Sequence, residues 1–401
     1  MAKYNGLVIS DIHVGAFDIN KLNNEYQEIF INYIKTLKKL DFVIIDGDFF
    51  HHKFYLNDKE SVMAYHMLQS LFDVCKPLNT KIRIVYGTES HECNQYDVLS
   101  IINLYDDIKV IKTATREELL PNLNVLYLPE EYVINQSEFY SDFFNDTYDY
   151  VFGHGVIKEM MSNAVAHMKA SGNDKRKKVP IFSSSELADI CDGEVYFGHY
   201  HINTNIDDKV FYVGSFSRWE FGQEGRKGFY KIECDTDKHK YNQEFIENTL
   251  ADKFVTISYG YKSNIFKDSS VDNEKLEKAL TDIDSKIDNK VFEHVRFEFN
   301  IPSECSEPEG LIEYVKNRYK FNKSVKVNFV NGYIEEKRNK KKEAIEKEND
   351  EFSFIYDDNL DIPDKTSRFI EIVHHENIPI ENIRMYLNDD VNDIIEHFSS
   401  L

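Results

Sequence analysis

Histidines and aspartates recur in this sequence directly after short apolar runs. The first run ends in SDIH, the second in IIDGDFFHH and the third in GTESHE, and two later runs end in FGHG and FGHYH. Imidazole mixed with carboxylate suits borderline divalent ions such as manganese, whereas structural zinc sites rely on thiolates. A single histidine after a strand is more often a hydrogen-bonded surface residue. Five such groups in one segment of the chain indicate a metal site.

These groups need a scaffold that brings their positions together. Six apolar runs between residues 5 and 235 predict short buried strands, and helical spacing at 24–40 and 60–74 alternates with them. This alternation predicts an α/β domain, which builds its sites at the carboxyl ends of the strands. From about 250 to 334 the patterns run β-α-β-α-β and predict a small α+β module.

The overall composition sets limits on the class of protein. No apolar run reaches the length of a transmembrane helix, so no membrane association is predicted. The segment MAKYNGLVISD lacks a signal-peptide pattern, which favours a cytoplasmic protein, and five scattered cysteines predict reduced thiols. The net charge of −22 argues against a protein that coats nucleic acid with its whole surface, but it does not exclude a nucleic-acid enzyme.

The ordered set D-x-H, G-D, (N/S)-H, G-H and G-H-x-H resembles the signature of calcineurin-like metallophosphoesterases. Two further segments, GDFFHH and VFYVGSFSRWEFGQEGRKGFYKIE, are similar to blocks of the double-strand-break repair nucleases, the meiotic recombination family called SbcD in bacteria. The resemblance covers roughly residues 5–235. The short, Asn/Lys/Ile-rich chain looks like bacteriophage versions, which would work in the host cytoplasm.

The resemblance implies an α/β metallophosphoesterase sandwich of two β-sheets flanked by helices, with a small α+β capping domain and a helical tail. The implied boundaries are 1–240 for the nuclease domain and 250–334 for the capping domain, on the DNA-binding side. Residues 335–360 would form a charged linker, and 361–401 a helical element that docks to a partner or packs on the preceding module.

Carried over residue by residue, the family pattern implies two divalent ions, Mn²⁺ or alternatively Mg²⁺. It places Asp11, His13 and His201 on one ion, with Asp48 as the bridge to the second. His154 and His199 join the second ion. His91 matches a catalytic histidine that does not bind metal, and His51 matches a histidine that contributes to nuclease activity.

The third motif departs from the family, which usually has G-N-H followed by an acid. Here two extra residues intervene and asparagine is absent. When the motif is aligned on His91, Ser90 takes the asparagine position and would complete the second metal site. Thr88 and Glu89 are the alternatives if the longer loop folds back.

The function that the resemblance implies is a two-metal-dependent DNA nuclease, a 3′–5′ exonuclease on duplex ends and an endonuclease on single strands. It would act in DNA end processing, recombination and repair, as a homodimer within a heterotetramer that contains an SMC-like coiled-coil ATPase. One alternative is a metallophosphoesterase that acts on small phosphodiesters or phosphoproteins. Another is a non-catalytic scaffold subunit.

Overall fold

The computed structural model describes residues 3–330, apart from 56–57, 99–106, 162–176, 224, 260–264, 268–269, 290, 292, 302–304 and 306–307. The predicted linker 335–360 and docking element 361–401 lie outside the described residues. One compact unit comprises 1–257, 281–296 and 324–326, and the described residues of the other fall within 258–280, 297–323 and 327–330. The domain boundaries given above stay a prediction.

The strands that precede residue 250 build two large sheets. In chain order they are β1 (Lys3–Ile9), β2 (Phe42–Asp46), β3 (Lys81–Val85), β4 (Ile108–Ile111), β5 (Thr115–Leu120), β6 (Leu123–Leu128), β7 (Tyr148–His154), β8 (Val156–Ile157), β9 (Ile181–Phe182), β10 (Cys191–Gly198), β11 (Thr204–Asn205), β12 (Val210–Tyr212), β13 (Gly228–Asp235) and β14 (Lys240–Glu247). The predicted strands correspond to β1, β2, β3, β6, β7 and β10.

The helices of this part begin with α1 (Ile19–Glu25), which continues through a π-helical turn (Tyr26–Ile31) into α2 (Asn32–Thr36). The Asp18 carboxylate caps α1 by accepting hydrogen bonds from two backbone N–H groups, so the helix starts earlier than predicted. The other helices are α3 (Lys59–Cys75), α4 (Glu89–Glu92), α5 (Gln136–Tyr140) and α6 (Ser184–Asp189). No described helix is both long and apolar enough to cross a membrane.

Both large sheets are mixed. The first has the order β14-β13-β1-β2-β3-β4, with β1 to β4 parallel and β13 and β14 antiparallel to their neighbours. The second has the order β11-β12-β10-β7-β6-β5, with β12, β10, β7 and β6 parallel and the two outer strands antiparallel. The carboxyl ends of four parallel strands therefore lie side by side in each sheet.

Apolar side chains of β2 alternate between two cores. Phe42 and Ile44 pack between the sheets against aromatic rings such as Tyr150 of β7. Val43 and Ile45 point to the opposite face, where side chains of α1 and α3 cover them. A third core lies between the second sheet and α5 and α6. The chain thus confirms the predicted α/β class, with two mixed sheets flanked by helices.

The module after residue 250 contains the predicted β-α-β-α-β elements, with two short strands that were not predicted before its first helix. Its elements are β15 (Phe254–Tyr259), β16 (Phe266–Lys267), β17 (Ser270–Val271), α7 (Asn273–Asp288), β18 (His294–Asn300), α8 (Pro308–Arg318) and β19 (Val325–Val330). β15, β18 and β19 form a sheet in that order, and β16 pairs with β17.

A buried ion pair links the two large sheets. The Arg83 guanidinium of β3 donates two hydrogen bonds to the Glu117 carboxylate of β5, at 2.7 and 2.8 Å. The two side chains are only 6% and 17% exposed. Burial acts to raise the pKa of Glu117, but the bonds from Arg83 outweigh it and the pKa falls below its ordinary value.

Arg83→Ala should lower the free energy of unfolding by about 3 kcal/mol, because it leaves the largely buried Glu117 carboxylate with only the Tyr127 hydroxyl and the more distant Lys109 ammonium. Denaturant unfolding at neutral pH measures this loss. The matched control is Arg116→Ala, whose ion pair is about half exposed and should contribute less than about 1 kcal/mol.

Because the pKa of Glu117 is lowered, the contribution of the Arg83–Glu117 pair to the free energy of unfolding should be complete above the ordinary pKa of glutamate. It should disappear as the pH falls through the lowered pKa. Equal losses in both variants would contradict this.

Candidate metal centre

Six of the seven predicted metal ligands, all except Ser90, meet at the carboxyl ends of the parallel strands. Asp11 and His13 follow β1, Asp48 follows β2, and His199 and His201 follow β10. His154 is the last residue of β7. Loops of both sheets therefore contribute to one site.

Asp11, His13 and His201 form the first group of possible ligands, with their nearest ligand atoms all within 4.8 Å of one another. An oxygen of Asp11, Oδ1, lies 3.7 Å from His13 Nε2 and 3.6 Å from His201 Nε2. The two imidazole nitrogens are 3.0 Å apart. The structure thus brings together the residues that the resemblance places on one ion.

Asp48 lies between this group and the next. Its Oδ2 atom is 3.7 Å from His13 Nε2 on one side and 3.2 Å from His154 Nε2 on the other. The backbone N–H of Thr88 donates to the other oxygen, Oδ1, at 2.7 Å and holds the carboxylate in place. This position suits a bridge between two ions, because Oδ2 faces both ligand groups while Oδ1 accepts the hydrogen bond from Thr88.

Glu130, His154 and His199 form the second group. Glu130 Oε2 is 3.1 Å from His199 Nδ1 and 3.9 Å from His154 Nε2, and Glu130 is only 5% exposed. Glu130 was not among the residues predicted from the sequence. Its place after the apolar run of β6 is a signal that it shares with the adjacent Glu131.

The three residues proposed for the missing asparagine have different positions. Ser90 and Glu89 are exposed on α4, and the Ser90 carbonyl accepts a hydrogen bond from the Cys93 thiol. The Thr88 hydroxyl lies 3.2 Å from Asp48 Oδ2 and 3.1 Å from Glu130 Oε2. Thr88 is therefore at the site, whereas the structure does not bring the Ser90 side chain together with His154 and His199.

His91 and His51 stand beside the first group. The His91 ring stacks on His51 with centroids 5.4 Å apart and meets the His13 ring edge-on at 4.9 Å. His91 Nδ1 donates to the His51 carbonyl oxygen, which leaves Nε2 as the nitrogen that can carry or release a proton. Burial, followed by the charges of His13 and His91, lowers the pKa of His51 to about 4, so this ring is neutral near pH 7.

The backbone around the centre is strained. Asp11, His13, Asp48 and His199 have φ angles of 49°, 50°, 48° and 98°, in the left-handed region that side chains rarely adopt. Such conformations cost free energy, and they cluster at functional sites. Gly47 has a φ of 84°, and a Cβ atom there would lie 2.0 Å from the His154 ring. Only glycine lets that ring approach the loop after β2.

The chemistry of His154 fits a divalent ion. Its Nδ1–H donates to the Asp46 carbonyl oxygen at 2.9 Å, the arrangement that orients metal-binding histidines. Its Nε2 atom is fully buried and makes no hydrogen bond of good geometry in the described part of the chain, although Asp48 Oδ2 faces it at 3.2 Å. Burial acts to lower the pKa of His154, but the carboxylates of Asp48 and Asp11 raise it well above its ordinary value. An ion could replace the proton that these carboxylates attract.

Comparisons with known proteins leave the family open. No family model matches the chain, and no curated protein matches it. One solved crystal structure resembles it with a TM-score of 0.33 and 14% identity, over 61% of this chain and 100% of the other. A likeness of that size carries no argument about family or function.

Proposed function

We propose that this chain is a metal-dependent DNA nuclease with the metallophosphoesterase fold, built around two divalent ions. The observation that carries the proposal is that Asp48 lies between two groups of possible ligands. Its Oδ2 atom is 3.7 Å from His13 Nε2 and 3.2 Å from His154 Nε2. Two neighbouring ions held by one carboxylate suit the hydrolysis of phosphate esters, because they would activate water and neutralise charge on the phosphate.

The residues around the ions have separate roles in this proposal. His91 protonates the leaving oxygen from Nε2, because its Nδ1–H is already committed to the His51 carbonyl. His51 supports that ring through the stacked contact. Asp48 and Thr88 fix the centre of the site through the hydrogen bond between them.

One aromatic ring at the site, and a second aromatic ring with two cations close to it in sequence, support a nucleic-acid substrate. The Trp219 ring is half buried, and its centroid lies 4.9 Å from the ring centroids of both His13 and His201. Nearby along the chain, Phe221 is flanked by the Arg296 guanidinium at 5.1 Å and the Lys326 ammonium at 5.5 Å. Aromatic faces that stack on bases and cations that contact phosphates are what single-strand-binding grooves combine.

The partners in the proposal are DNA, a second copy of this chain and an SMC-like coiled-coil ATPase. The acidic net charge of −22 suits an enzyme that relies on its ions and its partner for part of its hold on DNA. The element proposed to dock the ATPase, 361–401, lies outside the described residues.

The test is hydrolysis of end-labelled duplex and single-stranded DNA by the purified chain with Mn²⁺, with Mg²⁺ and with EDTA. We expect cleavage with Mn²⁺, weaker cleavage with Mg²⁺ and none with EDTA, because the carboxylates and imidazoles of the site need an ion to act on phosphate. Full activity in EDTA would refute the proposal. Equal turnover of DNA and of a small aryl phosphodiester would favour a general phosphoesterase, and no hydrolysis of either would favour a scaffold subunit.

A further inference from the structure

The second ligand group contains a carboxylate where the family pattern expects a neutral amide. We propose that Glu130 completes the shell of the second ion, together with His154, His199 and the bridging Asp48. This inference rests on the proposed two-ion function and identifies the residue that stands in for the missing asparagine. It also assigns no ligand role to Ser90 or Glu89.

The position of Glu130 is the first argument. Its Oε2 atom lies 3.1 Å from His199 Nδ1 and 3.9 Å from His154 Nε2, and the carboxylate is nearly fully buried. Burying a carboxylate costs free energy unless hydrogen bonds or an opposite charge compensate it. A divalent ion between these three groups would provide that charge.

The unsatisfied nitrogen of His154 is an independent argument. His154 Nε2 is fully buried, makes no hydrogen bond of good geometry in the described part of the chain, and faces the oxygens of Asp48 and Glu130 at 3.2 and 3.9 Å. Its other nitrogen is held by the Asp46 carbonyl, so the ring is already oriented with Nε2 toward these oxygens. Buried nitrogens are rarely left without a hydrogen bond, and a metal ion shared with these oxygens would satisfy this one.

Two neighbouring residues hold Glu130 in place. The Tyr132 hydroxyl donates to Glu130 Oε1 at 3.1 Å, which leaves Oε2 toward the histidines. The Thr88 hydroxyl lies 3.1 Å from that Oε2 atom and 3.2 Å from Asp48 Oδ2. A single hydroxyl between two carboxylates can donate to only one of them at a time. Thr88 therefore satisfies only one of the two acids at a time, and an ion would offset the repulsion between them.

The charge of the shell follows from this assignment. Asp48 and Glu130 contribute two negative charges beside two neutral histidines, whereas an amide or hydroxyl in place of Glu130 would leave one. More carboxylate ligands bind a divalent cation more strongly at short range. The longer loop GTESHE can therefore lack asparagine without weakening the second site.

The test is calorimetric titration of the full chain with MnCl₂, without any activity measurement. The wild-type chain should bind two equivalents. Glu130→Gln should keep the first equivalent unchanged and bind the second at least about 10-fold more weakly, because losing even an outer partner of a ligand costs that much. The matched controls, Glu89→Gln and Ser90→Ala, should both bind two equivalents as the wild type does.

Thermal melting with EDTA and with MnCl₂ provides a second readout. Each variant is compared with its own melt in EDTA, because Glu130→Gln also removes the ion pair between Glu130 and His199. The increase in melting temperature that Mn²⁺ causes should be smaller in this variant. If Glu130→Gln fails to fold, Glu130→Asp can replace it, because aspartate retains the charge on a shorter side chain. The affinity of Glu130→Asp for the second Mn²⁺ equivalent should also be weakened.

The outcomes separate this inference from the proposed function. A wild-type chain that binds fewer than two equivalents overturns both. Two equivalents in the wild type and unchanged affinities in Glu130→Gln overturn only the role of Glu130. Loss of the second equivalent in Glu89→Gln or Ser90→Ala would instead assign the ligand to α4.

Discussion

His91→Ala is expected to reduce DNA hydrolysis by about 10²- to 10⁴-fold, the range that a positioned proton donor contributes. Both Mn²⁺ equivalents should remain bound, because His91 lies outside the two ligand groups that adjoin Asp48. Its position beside His13, with Nδ1 committed to the His51 carbonyl, allows it to act on the leaving oxygen without holding an ion. Single-turnover cleavage of end-labelled DNA and a parallel Mn²⁺ titration measure the two effects.

A neighbouring histidine provides the control for this experiment. The side chain of His52 is exposed, and His52→Ala should leave both hydrolysis and metal binding close to wild type. His13, His51 and His91 are themselves close enough to hold an ion. The loss of one Mn²⁺ equivalent in His91→Ala would show that they do, and it would contradict the role of His91 as a proton donor.

Asp48→Asn should have the largest effect on the centre as a whole. The amide keeps the size of the side chain and can still accept the hydrogen bond from the Thr88 N–H, but it removes the charge between His13 and His154. We expect hydrolysis to fall by more than about 100-fold and at least one Mn²⁺ equivalent to be lost, since even outer partners of a ligand contribute 10- to 100-fold.

The same nuclease assay and Mn²⁺ titration apply to Asp48→Asn. Asp192→Asn, which changes a half-exposed carboxylate in β10, should leave both measurements unchanged. Two equivalents bound to Asp48→Asn with wild-type affinity would mean that Asp48 is not a ligand, and the bridge would have to be sought elsewhere.

Much of the fold could be predicted because its central strands are parallel and buried on both faces. β2 is almost entirely apolar, and β1 and β7 contain the buried runs 7–9 and 150–152, which is the pattern that covered parallel strands produce. The outer strands were missed for the opposite reason. β5 and β14 carry polar residues that alternate between partial burial and exposure, so they show no apolar run.

Most residues of the candidate site could be predicted because each of them directly follows or ends an apolar strand. Glu130 was missed because the sequence PEE after β6 looks like an ordinary polar turn, and only the packing of the second sheet places one of these acids beside His154 and His199. Local sequence could not distinguish Thr88, Glu89 and Ser90 either. Their distances from the site depend on how the short helix α4 leaves the third strand.

Both sheets contribute candidate ligands to the site, and this has a consequence for unfolding. The backbone N–H of His199, at the end of the second sheet, donates at 3.2 Å to Asp11, which lies 188 residues earlier and belongs to the first sheet. Ions bound here would act as a removable cross-link between two halves of the chain that are distant in sequence. Such a cross-link restricts the unfolded chain most when it closes a long loop. The ions would therefore hold the sandwich closed as well as take part in its chemistry.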